Sequence, residues 1–263
     1  MMLSRLFLCM LLAVPTAVVA GTWRPVGGIG ADISGADPAY ARRTVERVPD
    51  GRRLTAHLAF FASPAYRLEV IDLGDGDSAA FASIDEAFRA RGCIAGVNGG
   101  FFHADWQPLG LMIAGGRRTN RFETAKLLSG VVYSDAAGTH LVRRAGFRDH
   151  AGIEALLQTG PYLVDRGRAV RGLSAANGRP RTFIATDWRG HWVLGATPDR
   201  VTLAELAECL ASPGALTPWR IDRAINLDGG TSSGFFFDRG PDAPRVLLRP
   251  GKRVRNLLGI IRR

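Results

Sequence analysis

A chain of 263 residues with 46% hydrophobic content has enough apolar material for a real core. That argues against a disordered protein and suits one domain, or one domain with an N-terminal extension. The net charge is +10, nearly all of it from arginine, since Lys126 and Lys252 are the two lysines; this reads either as a solvated arginine-rich surface or as attraction to anionic polymers such as phosphorylated glycans, because arginine's planar fork fits phosphate and carboxylate well.

Residues 1–20 read as a secretory signal. Arg5 supplies the positive start, residues 6–14 the apolar middle, and Val18-Val-Ala20 a small-residue cleavage site. The apolar stretch is short for a membrane span, which needs about 20 apolar residues, so the mature protein is expected in the periplasm or outside the cell, with no stable membrane span and no nucleic-acid partner. Cys93 and Cys209 remain after cleavage, and an exporting compartment allows them either to pair or to stay as two buried thiols.

Residues 21–53 are rich in glycine, alanine, proline and charge and read as an N-terminal extension, a surface lead-in to a domain over 54–263. Residues 54–61 and 66–73 are strand-like, and Asp75-Gly76 is a turn signal. Ser83-Ile-Asp-Glu86 is a capping box that opens a helix ending near Gly92. A buried strand over 93–97 then delivers Asn98 to the corner Asn98-Gly-Gly-Phe-Phe102. Strands follow at 109–113, at 128–133 and 139–142 as a hairpin, at 162–164, 183–185 and 192–194, with residues 152–157 as a short helix or turn. Thr202-Leu-Ala-Glu205 is a second capping box; strands at 221–228, 235–237, 246–248 and 257–261 complete the chain. Strands dominate around two helices, and the expected class is α+β: mixed, mostly antiparallel strands with a few flanking helices, in a single domain.

The most informative stretch is Asn226-Leu-Asp-Gly-Gly-Thr-Ser-Ser-Gly234. It places Asp228 at a strand end, followed by a glycine pair and the hydroxyls of Thr231, Ser232 and Ser233. The corner at Asn98 has the same grammar, and two such corners point to one composite site. Gly230-Thr-Ser-Ser-Gly234 also matches the Gly-x-Ser-x-Gly nucleophile elbow, but that motif needs a helix after the turn and a later histidine; here residues 235–237 read as a strand and no histidine follows His191. His103 and Asp105 lack a third ligand at a metal-site spacing, so neither a metal nor a cofactor is expected. Trp106, in the same polar loop, reads either as a loop residue or as a sugar-stacking ring, and Glu123 is a secondary candidate for an acid.

Asn98-Gly-Gly-Phe-Phe102, Pro108-Leu-Gly110, Gln158-Thr-Gly-Pro161, Arg179-Pro-Arg-Thr182 and Asn226-Leu-Asp-Gly-Gly230, in that order, resemble the phosphodiester glycosidase family over residues 66 to 262. The resemblance implies hydrolysis of a sugar 1-phosphate diester, in an envelope or extracellular glycan, at the sugar carbon–oxygen bond. It implies Asp228 as the carboxylate at the sugar carbon, Arg181 as a phosphate clamp and Asn98 as the residue orienting sugar or water. The expected substrate-binding set is Gly99, Gly100, Gly160, Thr182, Gly229, Gly230, Thr231, Ser232 and Ser233, the glycines of the two corners letting backbone N–H groups approach the substrate. Two positions depart from the family pattern. Thr231 stands where a third glycine is frequent, and a positive φ there would be costly for a β-branched residue. Phe183-Ile-Ala185 replaces a smaller Ala-Ile-Gly. The alternative reading is a non-catalytic envelope protein that binds anionic glycans in the same cleft.

Overall fold

The computed structural model describes residues 22–27, 38–48, 50–75 and 81–263; the expected signal segment, most of the glycine-rich stretch after Val26 and Gly76 of the turn signal lie outside them. The described residues form three sheets. The largest has eight strands in the order Thr22–Pro25, Ala39–Val48, Arg53–Ala62, His191–Val201, Arg179–Thr186, Arg223–Asn226, Tyr162–Asp165 and Arg168–Ala169. A five-stranded sheet runs Arg117–Thr119, Met112–Ala114, Ala155–Thr159, Gly130–Asp135, Gly138–Arg143. The other, also of five strands, runs Val246–Leu248, Phe235–Phe237, Ala95–Asn98, Asn256–Arg262, Tyr66–Asp72.

Each described ladder is antiparallel, and the helices Ile84–Ala90 and Leu203–Ala211 have 7 and 9 residues. The expected mostly antiparallel strands with flanking helices are present, and with helices this short the class is mainly β where α+β was expected. Residues 152–157, expected as a short helix or turn, leave a turn at Gly152 and enter at Ala155 the strand Ala155–Thr159, whose residues are all buried. With both faces covered it lacks the period-two alternation that marks a half-exposed strand.

One central core lies where the sheets meet. Phe61, Ile184 and Leu194 come from the eight-stranded sheet, Leu68, Val97 and Phe235 from one smaller sheet, and Met112, Val132 and Leu157 from the other. The helix Leu203–Ala211 lays Leu206, Ala207, Cys209 and Leu210 on the opposite face of the large sheet, against Leu58, Phe183 and Val193. The helix Ile84–Ala90 packs Phe88 on Phe236, with ring centroids 5.2 Å apart. The stretch read as a surface lead-in supplies two strands of the largest sheet, with Trp23 and Val45 in the core. Cys93 and Cys209 are both free and sit in different core clusters.

Candidate active site

The two glycine corners meet at the junction of the eight-stranded sheet with the sheet that carries Ala95–Asn98. Asn98 makes the joint. Its Nδ2 donates to the Asp228 carbonyl at 2.7 Å, and its Oδ1 accepts from Thr182 Oγ1 at 2.7 Å and from the Gly234 N–H at 3.0 Å. The Asp228 N–H donates in turn to the Gly99 carbonyl at 3.0 Å. Two side chains, Asn98 and Thr182, together with the backbone of Gly99 and Gly234, thus fix the backbone that carries Asp228. Asn98 and Thr182 are fully buried, so the hydrogen-bonding capacity expected to face substrate is turned inward.

Gly99 and Gly100 are buried as well. The Gly99 N–H donates to the Asn256 carbonyl at 2.9 Å and the Gly100 N–H to Asn256 Oδ1 at 2.7 Å. A Cβ on Gly99 would lie 2.0 Å from Asn256 Oδ1, so this glycine permits close approach to Asn256, and the expected approach to substrate is replaced by an internal one. Gly160 is likewise a packing residue: a Cβ there would lie 2.1 Å from the Leu127 carbonyl oxygen.

The second corner is open. Asp228, Gly229, Gly230, Thr231 and Ser233 line a cleft of ≈ 630 Å³ together with Arg179, Arg200, Arg249 and Lys252. The left-handed position of the turn is Gly230, at φ 66°. Thr231 is not among the positive-φ residues and continues a 3-10 turn, Gly230–Ser232, so threonine in place of a third glycine brings no left-handed strain. A strand, Phe235–Phe237, follows this turn, as the argument against a nucleophile elbow at Ser232 anticipated.

Burial raises the Asp228 pKa above the usual aspartate value; the neighbouring Ser232 hydroxyl, the Gly229 N–H and the charge of Lys252 oppose that rise. The Gly229 N–H donates to Asp228 Oδ1 at 2.8 Å. The Ser232 hydroxyl lies beside the carboxylate without meeting full hydrogen-bond geometry, and Ser233 Oγ also has no partner. Among the described residues lining the cleft, Asp228 is the one carboxylate. Glu123 is not among them; it pairs with Arg121.

Arg181 stands behind the glycine pair. Its Nε donates to the Val201 carbonyl at 3.0 Å and its Nη2 to the Asn177 carbonyl at 3.4 Å, while Nη1 lies 3.8 Å from where a Gly229 Cβ would be. Burial and the nearby Arg179 lower its pKa. The cations that line the cleft are instead Arg179, Arg200, Arg249 and Lys252, which sequence reasoning left unassigned. Arg179 lies two residues before Arg181 on one strand, but a β-bulge between them breaks the alternation that would have put both on one sheet face, so spacing alone could not assign it. Arg249 and Lys252 follow the strand Val246–Leu248 in a loop with no motif to mark it.

A family model described as phosphodiester glycosidase matches residues 91–261. No curated protein matches the chain. Among solved structures, the catalytic domain of zebrafish N-acetylglucosamine-1-phosphodiester alpha-N-acetylglucosaminidase, auto-inhibited by its pro-peptide, superposes with a TM-score of 0.63 at 15% identity, covering 92% of this chain and 89% of that one. A Synechocystis protein described as hypothetical gives a TM-score of 0.51 at 16% identity, covering 93% of this chain and 69% of that one. A Burkholderia pseudomallei protein described as exported gives 0.52 at 14% identity, covering 81% and 75%. At these identities the structural likeness speaks for the fold. Among the described residues no helix is long and apolar enough to cross a membrane.

Proposed function

This chain belongs to the phosphodiester glycosidase family, and from that premise we propose that it is an exported hydrolase of a sugar 1-phosphate diester in an envelope or extracellular glycan. The observation that carries this reading is a single carboxylate, Asp228, set in a cleft whose other charged groups are all cations. Ordinary glycoside hydrolysis uses two carboxylates, one of them to protonate a poor leaving group. A phosphate monoester is a good leaving group and needs no such acid. The requirements left are to hold its charge, to stabilise an oxocarbenium-like sugar and to bring water to the anomeric carbon.

Arg179, Arg200, Arg249 and Lys252 serve the first requirement. A guanidinium binds phosphate by charge-assisted, often bidentate hydrogen bonds. Arg181, held by two carbonyls, keeps the Arg179 strand and the glycine corner in place and adds positive field from behind. Asp228 serves the sugar, as nucleophile or as base toward water. In the net reaction the bond from the anomeric carbon to the bridging oxygen breaks and the phosphate monoester leaves with the electron pair. Water supplies the hydroxyl of the new hemiacetal, and its proton is released. Gly230 and Thr231 present donors along the cleft wall, the Gly229 N–H holds the Asp228 carboxylate, and Asn98 and Thr182 act by positioning Asp228.

The test is hydrolysis of N-acetylglucosamine 1-phosphate methyl diester and a panel of other sugars, with product identification. Free sugar and methyl phosphate are expected from wild type, with strong loss in Asp228→Asn and in Arg179→Ala. Sugar 1-phosphate and methanol would instead mean cleavage on the other side of phosphorus and would reject the assignment.

A further inference from the structure

We propose that the phosphate's other substituent, the group that leaves with it, is an alkyl-type apolar chain held in a second groove beside the cleft. The inference rests on the diester reading above and names its substrate class. This groove, of ≈ 200 Å³, is lined by Leu73, Phe81, Ile84, Trp106, Pro250 and Val254. Arg249 and Lys252 line both it and the cleft at Asp228. A molecule whose phosphate sits on those two cations therefore has its sugar toward Asp228 on one side and an apolar trough on the other.

Trp106 is built to stay at this place. Its ring stacks parallel to Phe102 with centroids 5.3 Å apart, and the Phe102 ring also takes the Lys252 ammonium at 4.9 Å. Its backbone is held at φ 68°, a region uncommon for a bulky residue and kept where the surroundings enforce it. The Trp106 N–H donates to the His103 carbonyl at 3.0 Å, closing the turn that holds it. A sugar would ask for several polar side chains to bond its hydroxyls; besides the shared cations the groove offers Arg253 and Ser83, whose oxygen is taken up capping the helix Ile84–Ala90. An alkyl chain asks for none and gains from leaving water: each methylene buried is worth about fourfold in affinity.

The experiment compares N-acetylglucosamine 1-phosphate diesters of methyl, butyl and octyl alcohols, and separately measures binding of methyl, butyl and octyl phosphate by calorimetry. Wild type is expected to show kcat/KM and affinity rising by about fourfold per methylene over the first few carbons. Trp106→Ala and Phe81→Ser are each expected to flatten that slope. Hydrolysis of the methyl diester with no dependence on chain length overturns the groove assignment while leaving the reaction intact. If no diester is hydrolysed, the reaction fails, and the groove is then decided by binding alone: affinity flat across the alkyl phosphates rejects it, and affinity that climbs in wild type and not in Trp106→Ala upholds it.

Discussion

Asp228 carries its charge where burial works against it, with the Gly229 N–H, Ser232 and Lys252 only partly offsetting the loss of water. A carboxyl whose folded pKa is raised keeps its proton at a pH where the unfolded chain has released it. Its contribution to stability is therefore present below the ordinary carboxylate range and is lost as pH rises through the folded value. At neutral pH the ionised group costs stability and Asp228→Asn removes that cost, keeping an oxygen to accept from Gly229. The Asn variant is expected to melt at or above the wild-type temperature at neutral pH, with the difference shrinking in acid, while activity falls by about 10²- to 10⁴-fold. A clear loss of thermal stability at neutral pH would show that the charge is held for structural reasons. The acid limb of kcat/KM in wild type is expected above 3.8, the unperturbed aspartate value. Asn98 presents the opposite case, a polar side chain consumed by structure. Asn98→Ala strands the Thr182 hydroxyl and the Gly234 N–H in the interior and is expected to cost about 1–3 kcal/mol for each buried group left unpaired. Chemical denaturation measures this, and because the lost contacts hold the Asp228 backbone, kcat should fall more than KM rises.

Helix caps show how far local sequence reaches at the scale of elements. Both Ser/Thr-x-x-Glu signals start helices where expected, yet they are not equal. Thr202 and Glu205 exchange both bonds, at 3.1 and 2.9 Å. Ser83 accepts at 3.4 Å, while Glu86 accepts from the Ala82 N–H, one residue before the cap. Thr202→Ala should cost about 1 kcal/mol and Ser83→Ala distinctly less, read from paired thermal melts; equal losses would mean that cap geometry does not set the difference. These helices were legible because a cap is a contact within four residues. The strand Ala155–Thr159 was not, because burial on both faces erases its alternation. The site divides in the same way. Asp228 and its glycine pair announce themselves in a local string. The inward turn of Asn98 depends on Thr182, Asp228 and Gly234, 84 to 136 positions away, and the employment of Gly99 and Gly100 on Asn256, more than 150 positions away; no short pattern contains them.

For the molecule as a whole, the main question left by the sequence is where the folded unit begins. Composition marks residues 21–53 as different, and composition is a poor guide to sheet membership, because an edge strand is rich in charge as a matter of course. Ala39–Val48 contains Arg42, Arg43, Glu46 and Arg47 and still pairs along eight residues with Arg53–Ala62, from Ala39 opposite Phe60 to Glu46 opposite Arg53. Thr22–Pro25 pairs outside it, and Trp23, 1% exposed, fills the cluster under the helix Leu203–Ala211 together with Val45 and Leu54. Its N–H donates to Ser212 Oγ at the end of that helix, and Arg47 lies over its ring at 5.5 Å. Burial of a large apolar side chain is worth about 1.5–3 kcal/mol, and a domain's whole margin is about 5–15 kcal/mol. Removing Trp23 and Val45 together, and leaving Arg53–Ala62 as a new edge with Leu54 and Leu58 uncovered, takes away a large part of that margin. A chain starting at residue 22 is therefore expected to unfold in one cooperative transition, and a chain starting at residue 54 to lose cooperativity or solubility. Retention of a sharp thermal transition and of diester hydrolysis by the shorter chain would show that the first two strands are an appendage and that the folded unit is the one the composition marks out.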